Sequence, residues 1–319
     1  MKRGFLSAAA SCAAAAVCAS AALLLASCAQ SVEITAPRYA LVYGIKAYQY
    51  NALQYTVADA RSMESLLEAR GVSSSNMKER EDAAVTKSQI KADILSLAGI
   101  ASDSTVILYF SGHGTYVDAS WGSDYPTYSG AYIVPYDAVS STGLTEATLP
   151  YLISPSELQD WLAQMGTQNV IVILDDCYSG GFVSTGGAID ASPQDYSSMQ
   201  SYSAFSTAFA NFGDLLSANA SASGNKAPIV LSAAGSQEES YDGSAAQGHG
   251  VFTYYLLQAA TQGDANGDGI VTTTEAYSYT AANIETWGAT ETAEGYPGGY
   301  PFLPHLSGGV RDLVLFGPL

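Results

Sequence analysis

Thr105-Val106-Ile107-Leu108-Tyr109-Phe110-Ser111-Gly112-His113-Gly114 is the stretch on which the fold turns. Its first six residues are apolar or β-branched and end against glycine, the pattern of a strand buried on both faces. A second stretch repeats the arrangement: Val170-Ile171-Val172-Ile173-Leu174 runs into Asp175-Asp176-Cys177-Tyr178-Ser179-Gly180-Gly181. Helical patterns alternate with such runs, so the strands are predicted to lie mostly parallel in one sheet with helices on both faces. In open α/β sheets, chemistry gathers at the carboxyl ends of the strands. If these two strands are neighbours, an imidazole and a thiol meet at one sheet edge, the minimum for nucleophilic cysteine catalysis.

Working outward, a strand is expected over 39–45, helices over 57–69 and 87–98, and an extended segment over 131–135. Ser154-Pro155-Ser156-Glu157 opens a further helix, with a capping serine and a proline in its first turn. Residues 183–227 turn rich in Ser, Ala, Gly and Asn and read as a linker. A shorter strand over 228–231 and a helix starting near Gly250 follow it. The expected organisation is a large half over 38–182, the linker, and a small half over 228–319 that shares the same sheet.

The N-terminus reads as a targeting segment. Lys2 and Arg3 precede an Ala/Leu-rich stretch that closes with Leu25-Ala26-Ser27-Cys28, small residues directly before a cysteine. That order resembles a bacterial lipobox. It implies that residues 1–27 are removed, that Cys28 carries the lipid, and that 28–37 tether an exported, membrane-anchored lipoprotein. An ordinary signal peptide or a membrane anchor is the alternative. Cys12 and Cys18 leave with the segment, so Cys177 is the one unlipidated thiol expected in the fold. A disulfide framework is excluded by that count.

The 319-residue chain carries a net charge of −18, and removing Lys2 and Arg3 makes it more acidic still. Such a surface disfavours nucleic acid as a partner and suits basic ligands. Between Lys91 and Arg311 the sequence has one basic residue, Lys226.

Strand-Ser-Gly-His-Gly followed by strand-Asp-x-Cys-x-Ser-Gly-Gly resembles the caspase-like cysteine peptidases, nearest their bacterial metacaspase-type members. Leu53 to Ala60, which includes Thr56 and Asp59, and Gly250-Val251-Phe252-Thr253 are similar to the same family. The resemblance spans roughly residues 38 to 285. It implies a three-layer α/β/α sandwich with a mostly parallel central sheet, and peptide or protein substrates. Cys177 would then be the nucleophile and His113 its proton acceptor and donor, with the N–H groups of Gly114 and Cys177 as the oxyanion hole. Asp175, Asp59, Ser111 and Thr56 match the positions that line the pocket for the residue before the scissile bond, and two carboxylates there suit Arg or Lys. Against those roles stand bland ones: Asp59 as a helix-terminal charge, Asp175 as an acceptor of backbone N–H groups. No third triad member is visible. The residue after the cysteine is Tyr178 where metacaspases often have His. His249 and His305 read as loop or surface residues. No arginine follows Cys177 closely, which excludes a cysteine phosphatase. An enzyme with a taste for basic residues that processed itself in the linker would have Lys226 as its obvious site.

Asp264-Ala265-Asn266-Gly267-Asp268-Gly269-Ile270-Val271-Thr272-Thr273-Thr274-Glu275 has the spacing of an EF-hand-type calcium loop. Oxygen ligands would come from Asp264, Asn266, Asp268, the carbonyl of Ile270, Thr272 through water, and Glu275. The calcium is expected to brace structure; the alternative is an acidic turn capping the helix that follows. Two further readings of the whole chain compete with a peptidase. One is a non-catalytic caspase-like scaffold, the other a calcium-binding surface lipoprotein.

Overall fold

The computed structural model of the chain describes residues 34–117, 130–178, 226–233, 248–290, 304–308 and 312–318. Its two long apolar runs form adjacent central strands, β3 (Thr105–Val117) and β5 (Asn169–Tyr178), paired in parallel from Thr105↔Asn169 to Gly114↔Tyr178. β1 (Arg38–Gly44) lies parallel on the other side of β3 as far as Gly44↔Ser111. Beyond that point β4 (Gly130–Val134) takes over, antiparallel, from His113↔Val134 to Val117↔Gly130. Outside β1 lies β2 (Met77–Glu81). Beyond β5 come β6 (Ile229–Ser232), parallel, and then β8 (His305–Ser307), antiparallel. The sheet order is β2-β1-β3-β5-β6-β8, with β4 on the extension of β3.

Both strands run further than their apolar stretches. Glycine breaks a strand only where nothing pairs with it, and here β4 and the β3–β5 ladder supply partners through Gly112 and Gly114. Ser111, His113, Asp175 and Cys177 therefore sit inside strands, not in the turns that follow them. β2 was not expected either: its sequence, Met-Lys-Glu-Arg-Glu, is charged after its first residue and half-buried. That composition is how an edge strand avoids pairing with another chain.

Helices cover both faces. On one, α2 (Lys87–Leu95) and α3 (Pro155–Leu162) bury Ile90, Ile94, Leu158, Trp161 and Leu162 against Leu41, Leu108, Phe110, Val172 and Leu174. On the other, α1 (Thr56–Ala69), α4 (Val251–Gln262) and α5 (Thr273–Thr290) bury Met63, Leu67, Phe252, Leu256 and Ile284 against Val42, Ile107, Tyr109, Ile171 and Ile173. Alternation along each strand sends successive residues to opposite faces, and the three-layer α/β/α sandwich follows. The Ser154 capping box on α3 is complete, its hydroxyl accepting from Glu157 N–H.

The end of the chain returns to its beginning. β9 (Val314–Phe316) pairs with β7 (Val271–Thr272) in a small second sheet. Arg38, at the start of β1, donates to the carbonyl oxygens of Arg70, Val314 and Leu315, and Arg70 donates to Gly317 O. Both guanidinium groups are buried, and burial pulls Arg38 down to about 10.

Candidate active site

The β3–β5 register makes His113 and Cys177 direct partners, on strands about 4.8 Å apart. Ser111 is likewise the partner of Asp175, and Gly114 of Tyr178. The expected meeting of histidine and cysteine strands is thus realised in the backbone, at the carboxyl edge of the sheet.

His113 is fully buried, and three features fix its ring. Nε2 lies 2.8 Å from the carbonyl oxygen of Asn51. A carbonyl can only accept, so Nε2 carries the proton and Nδ1 is the basic nitrogen of the neutral imidazole. The Tyr48 ring tilts against the imidazole with centroids 4.6 Å apart. The Tyr48 hydroxyl accepts from His113 N–H at 3.1 Å and donates to Val134 O at 2.7 Å, tying β3 to β4 beside the ring. Gly112 makes room for this, since a Cβ there would stand 2.7 Å from that hydroxyl. Burial pushes the imidazole pKa down to about 3, and the bond to Asn51 offsets only part of this. The resting imidazole is therefore neutral near pH 7.

Asn51 itself has φ 56°, the left-handed region, which asparagine tolerates better than most residues. Sequence reasoning found no third group behind His113 because that group is a main-chain oxygen, 62 residues away and invisible to any side-chain motif.

The proposed pocket carboxylates come together around the start of α4. Asp59, in the first turn of α1, is 1% exposed; its Oδ1 accepts from His249 Nδ1 at 2.7 Å and from Gly250 N–H at 3.2 Å. Asp175, 3% exposed, accepts from the Thr253 hydroxyl, which is also 2.6 Å from the Tyr109 hydroxyl. A Cβ on Gly250 would lie 2.9 Å from Asp175 Oδ2 and 3.4 Å from Asp59 Oδ2. Helix α4 thus presents its positive end to two buried acids. Tyr109 beneath them is held well above the usual phenol range, first by burial and then by Asp175 and Asp59. Ser111 is buried on the same face. Thr56, the fourth expected pocket residue, is buried and spends its hydroxyl on Ile45 O at 2.7 Å. His249 is not the plain loop residue its glycine-rich setting suggested, because its partner Asp59 lies 190 positions earlier.

Asp176 alternates to the opposite face of β5. It is 3% exposed, Oδ2 has no hydrogen-bond partner among the described residues, and burial followed by repulsion from Asp175 raises its pKa far above the carboxylate range. It is the neighbour of Cys177 in the chain, and burial favours its protonated form.

Lys226 lies at the far end of the molecule, its N–H bonded to Gln168 Oε1 at 3.1 Å, one residue before β5 begins. Nine residues of extended strand, about 30 Å, separate that point from Cys177. Cys28 and most of the 183–227 stretch fall outside the described residues.

In the 264–275 loop the carboxylates turn onto the loop's own backbone. Asp264 accepts from the N–H groups of Gly267, Asp268 and Gly269, and Glu275 from Ala265 and Thr272. Among the described residues, no group of three or more His, Cys, Asp or Glu side chains is clustered so as to hold a metal ion. The donors are nonetheless all oxygens, the set a hard cation requires.

The family model of the caspase domain, Peptidase_C14, matches residues 37–284. Among solved structures, the crystal structure of protein GSU0716 from Geobacter sulfurreducens superposes with a TM-score of 0.52 at 19% identity, covering 86% of this chain and 95% of that one. That likeness is one of fold. No curated protein sequence matches.

Proposed function

Since the chain belongs to the caspase-domain family of cysteine peptidases, we propose that it is a cysteine endopeptidase cleaving after Arg or Lys. The observation that carries the reading is the direct pairing of His113 with Cys177. Neutral His113 takes the proton of the Cys177 thiol as sulfur adds to the scissile carbonyl carbon. The N–H groups of Gly114 and Cys177 receive the oxyanion. Collapse breaks the C–N bond, and the leaving amine takes the proton held by His113. Water, deprotonated by the same imidazole, then hydrolyses the thioester, releasing the acid and returning the proton to the thiol. Asp59 and Asp175 would receive the substrate's cation, with Ser111 and Thr56 at their side.

Calcium, in this reading, is held by Asp264, Asn266, Asp268, the carbonyl of Ile270 and Glu275, with Thr272 acting through water. It supplies charge neutralisation and a brace for the small half. Cys28 would anchor the protein to a bacterial membrane on the exported side. Self-cleavage at Lys226, some 30 Å from Cys177, is by a second molecule in this arrangement, so its rate rises with protein concentration.

The decisive experiment compares the protein with Cys177→Ala on matched fluorogenic peptides ending in Arg, Lys or Asp, with and without calcium. Cleavage after Arg and Lys that Cys177→Ala abolishes is the expected result. Cleavage after Asp alone overturns the specificity, and no Cys177-dependent cleavage overturns the enzyme.

A further inference from the structure

A carboxylate buried to receive a substrate cation must have some other partner when substrate is absent, because an uncompensated charge inside a protein is strongly disfavoured. For Asp59 the side-chain partner on its exposed side is His249, whose Nδ1 stands 2.7 Å from Oδ1, beside the backbone donor Gly250 N–H. The two side chains differ sharply in exposure, 20% for His249 and 2% for Asp59. The imidazole therefore lies over the acid on its solvent side, where an incoming side chain would arrive. It is also mounted to move. Gly248, before it, has φ 92° and, among the described residues, nothing within 4 Å of where its Cβ would be, while Gly250, after it, is wedged against Asp175 and Asp59. One flank is a glycine in the left-handed region and the other a fixed point, so rotation about Gly248 would swing His249 away without disturbing the start of α4. Asp175 is kept differently. Its donor Thr253 is fully buried within α4 and is not placed to leave.

We propose that His249 is a specificity-determining residue of the basic-residue pocket: its imidazole holds Asp59 in the place of the substrate's cation and must be displaced for Arg or Lys to bind. This rests on the Arg/Lys reading given above. A guanidinium or ammonium gives Asp59 a charged donor in place of the imidazole, a neutral amide gives only an uncharged one, and an apolar side chain gives nothing back. The displaced histidine thus costs every substrate some affinity and costs neutral ones most.

The test uses the full chain and two variants, His249→Ala and His249→Gln, on peptides ending in Arg, Lys or Gln. Benzamidine binding to the Cys177→Ala protein, with and without each His249 change, is measured alongside by calorimetry. The expected outcome is a three- to tenfold lower KM for Arg and Lys in His249→Ala with kcat nearly unchanged, and a matching gain in benzamidine affinity. His249→Gln, still able to donate to Asp59, falls between, and it carries the test if His249→Ala does not fold. KM and benzamidine affinity that are unchanged or weaker in the folded variants, while wild type cleaves after Arg, overturn the role of His249. A wild-type protein that neither cleaves after Arg or Lys nor binds benzamidine removes the pocket assignment itself, and this proposal with it.

Discussion

The Nε2 atom of His113 stands 2.8 Å from the carbonyl oxygen of Asn51, a residue held at φ 56°. This pairing leaves Nδ1 as the base, and burial keeps the ring neutral with a pKa of about 3. The imidazole pKa is depressed from 6.5, so the protonated, inactive form accumulates only as pH falls well below that value. The acid limb of kcat/KM for an Arg-terminated peptide is therefore expected below pH 5.5. A limb centred near 6.5 would show that His113 titrates as an exposed histidine does.

Tyr48→Phe keeps the ring that packs on His113 and removes the hydroxyl that bridges His113 N–H and Val134 O. Two buried backbone groups lose a partner, a cost of about 1–3 kcal/mol in stability. Because β4 and the imidazole are then less firmly held, kcat should fall several-fold with KM nearly constant. Denaturant melts and steady-state kinetics on one preparation check both parts.

Asp176→Asn is expected to stabilise the protein at neutral pH. The pKa of the native carboxyl is raised above its unfolded value of about 3.9, so its contribution is fully present below that pH and is lost as pH rises through the folded pKa. The amide removes that loss. Melting temperatures measured from pH 4 to pH 8 should show the variant gaining on wild type as pH rises; parallel curves would refute the argument.

Gly250→Ala tests the packing of α4 on the two acids. The backbone there, φ −61°, accepts alanine, so the whole effect comes from a methyl group 2.9 Å from Asp175 Oδ2. Overpacking of this kind costs about 1–3 kcal/mol. The expected kinetic signature is a raised KM for Arg and Lys peptides, the reverse of that expected for His249→Ala.

Glu275→Gln addresses the calcium loop. If the loop binds calcium, millimolar calcium raises the melting temperature of wild type by linkage, and the variant loses most of that rise. Equal shifts in the two proteins would place any calcium effect elsewhere.

Much of this site was legible in the chain. The runs before His113 and Cys177 are apolar and bounded by glycine, which predicts buried neighbouring strands, and the register confirms that placement. Asp59 and Asp175 came from motif positions, and the structure gathers them at Gly250. Tyr48, Asn51 and His249 were not legible. Their roles arise from contacts 62 to 190 residues distant, and none carries a periodic or spaced pattern. The polar edge strand β2 escaped for a related reason: hydrophobic alternation marks strands with a buried face, and Met77–Glu81 is half-buried throughout.

The two buried arginines at the opening of the fold have a bearing on what a proteolytic cut would do. Arg38 and Arg70 belong to the large half, and the carbonyls they hold, at Val314, Leu315 and Gly317, lie near the opposite terminus. β6 is zipped to β5 across the same divide. A chain severed between 183 and 227 would hence remain one particle made of two polypeptides, with neither piece released.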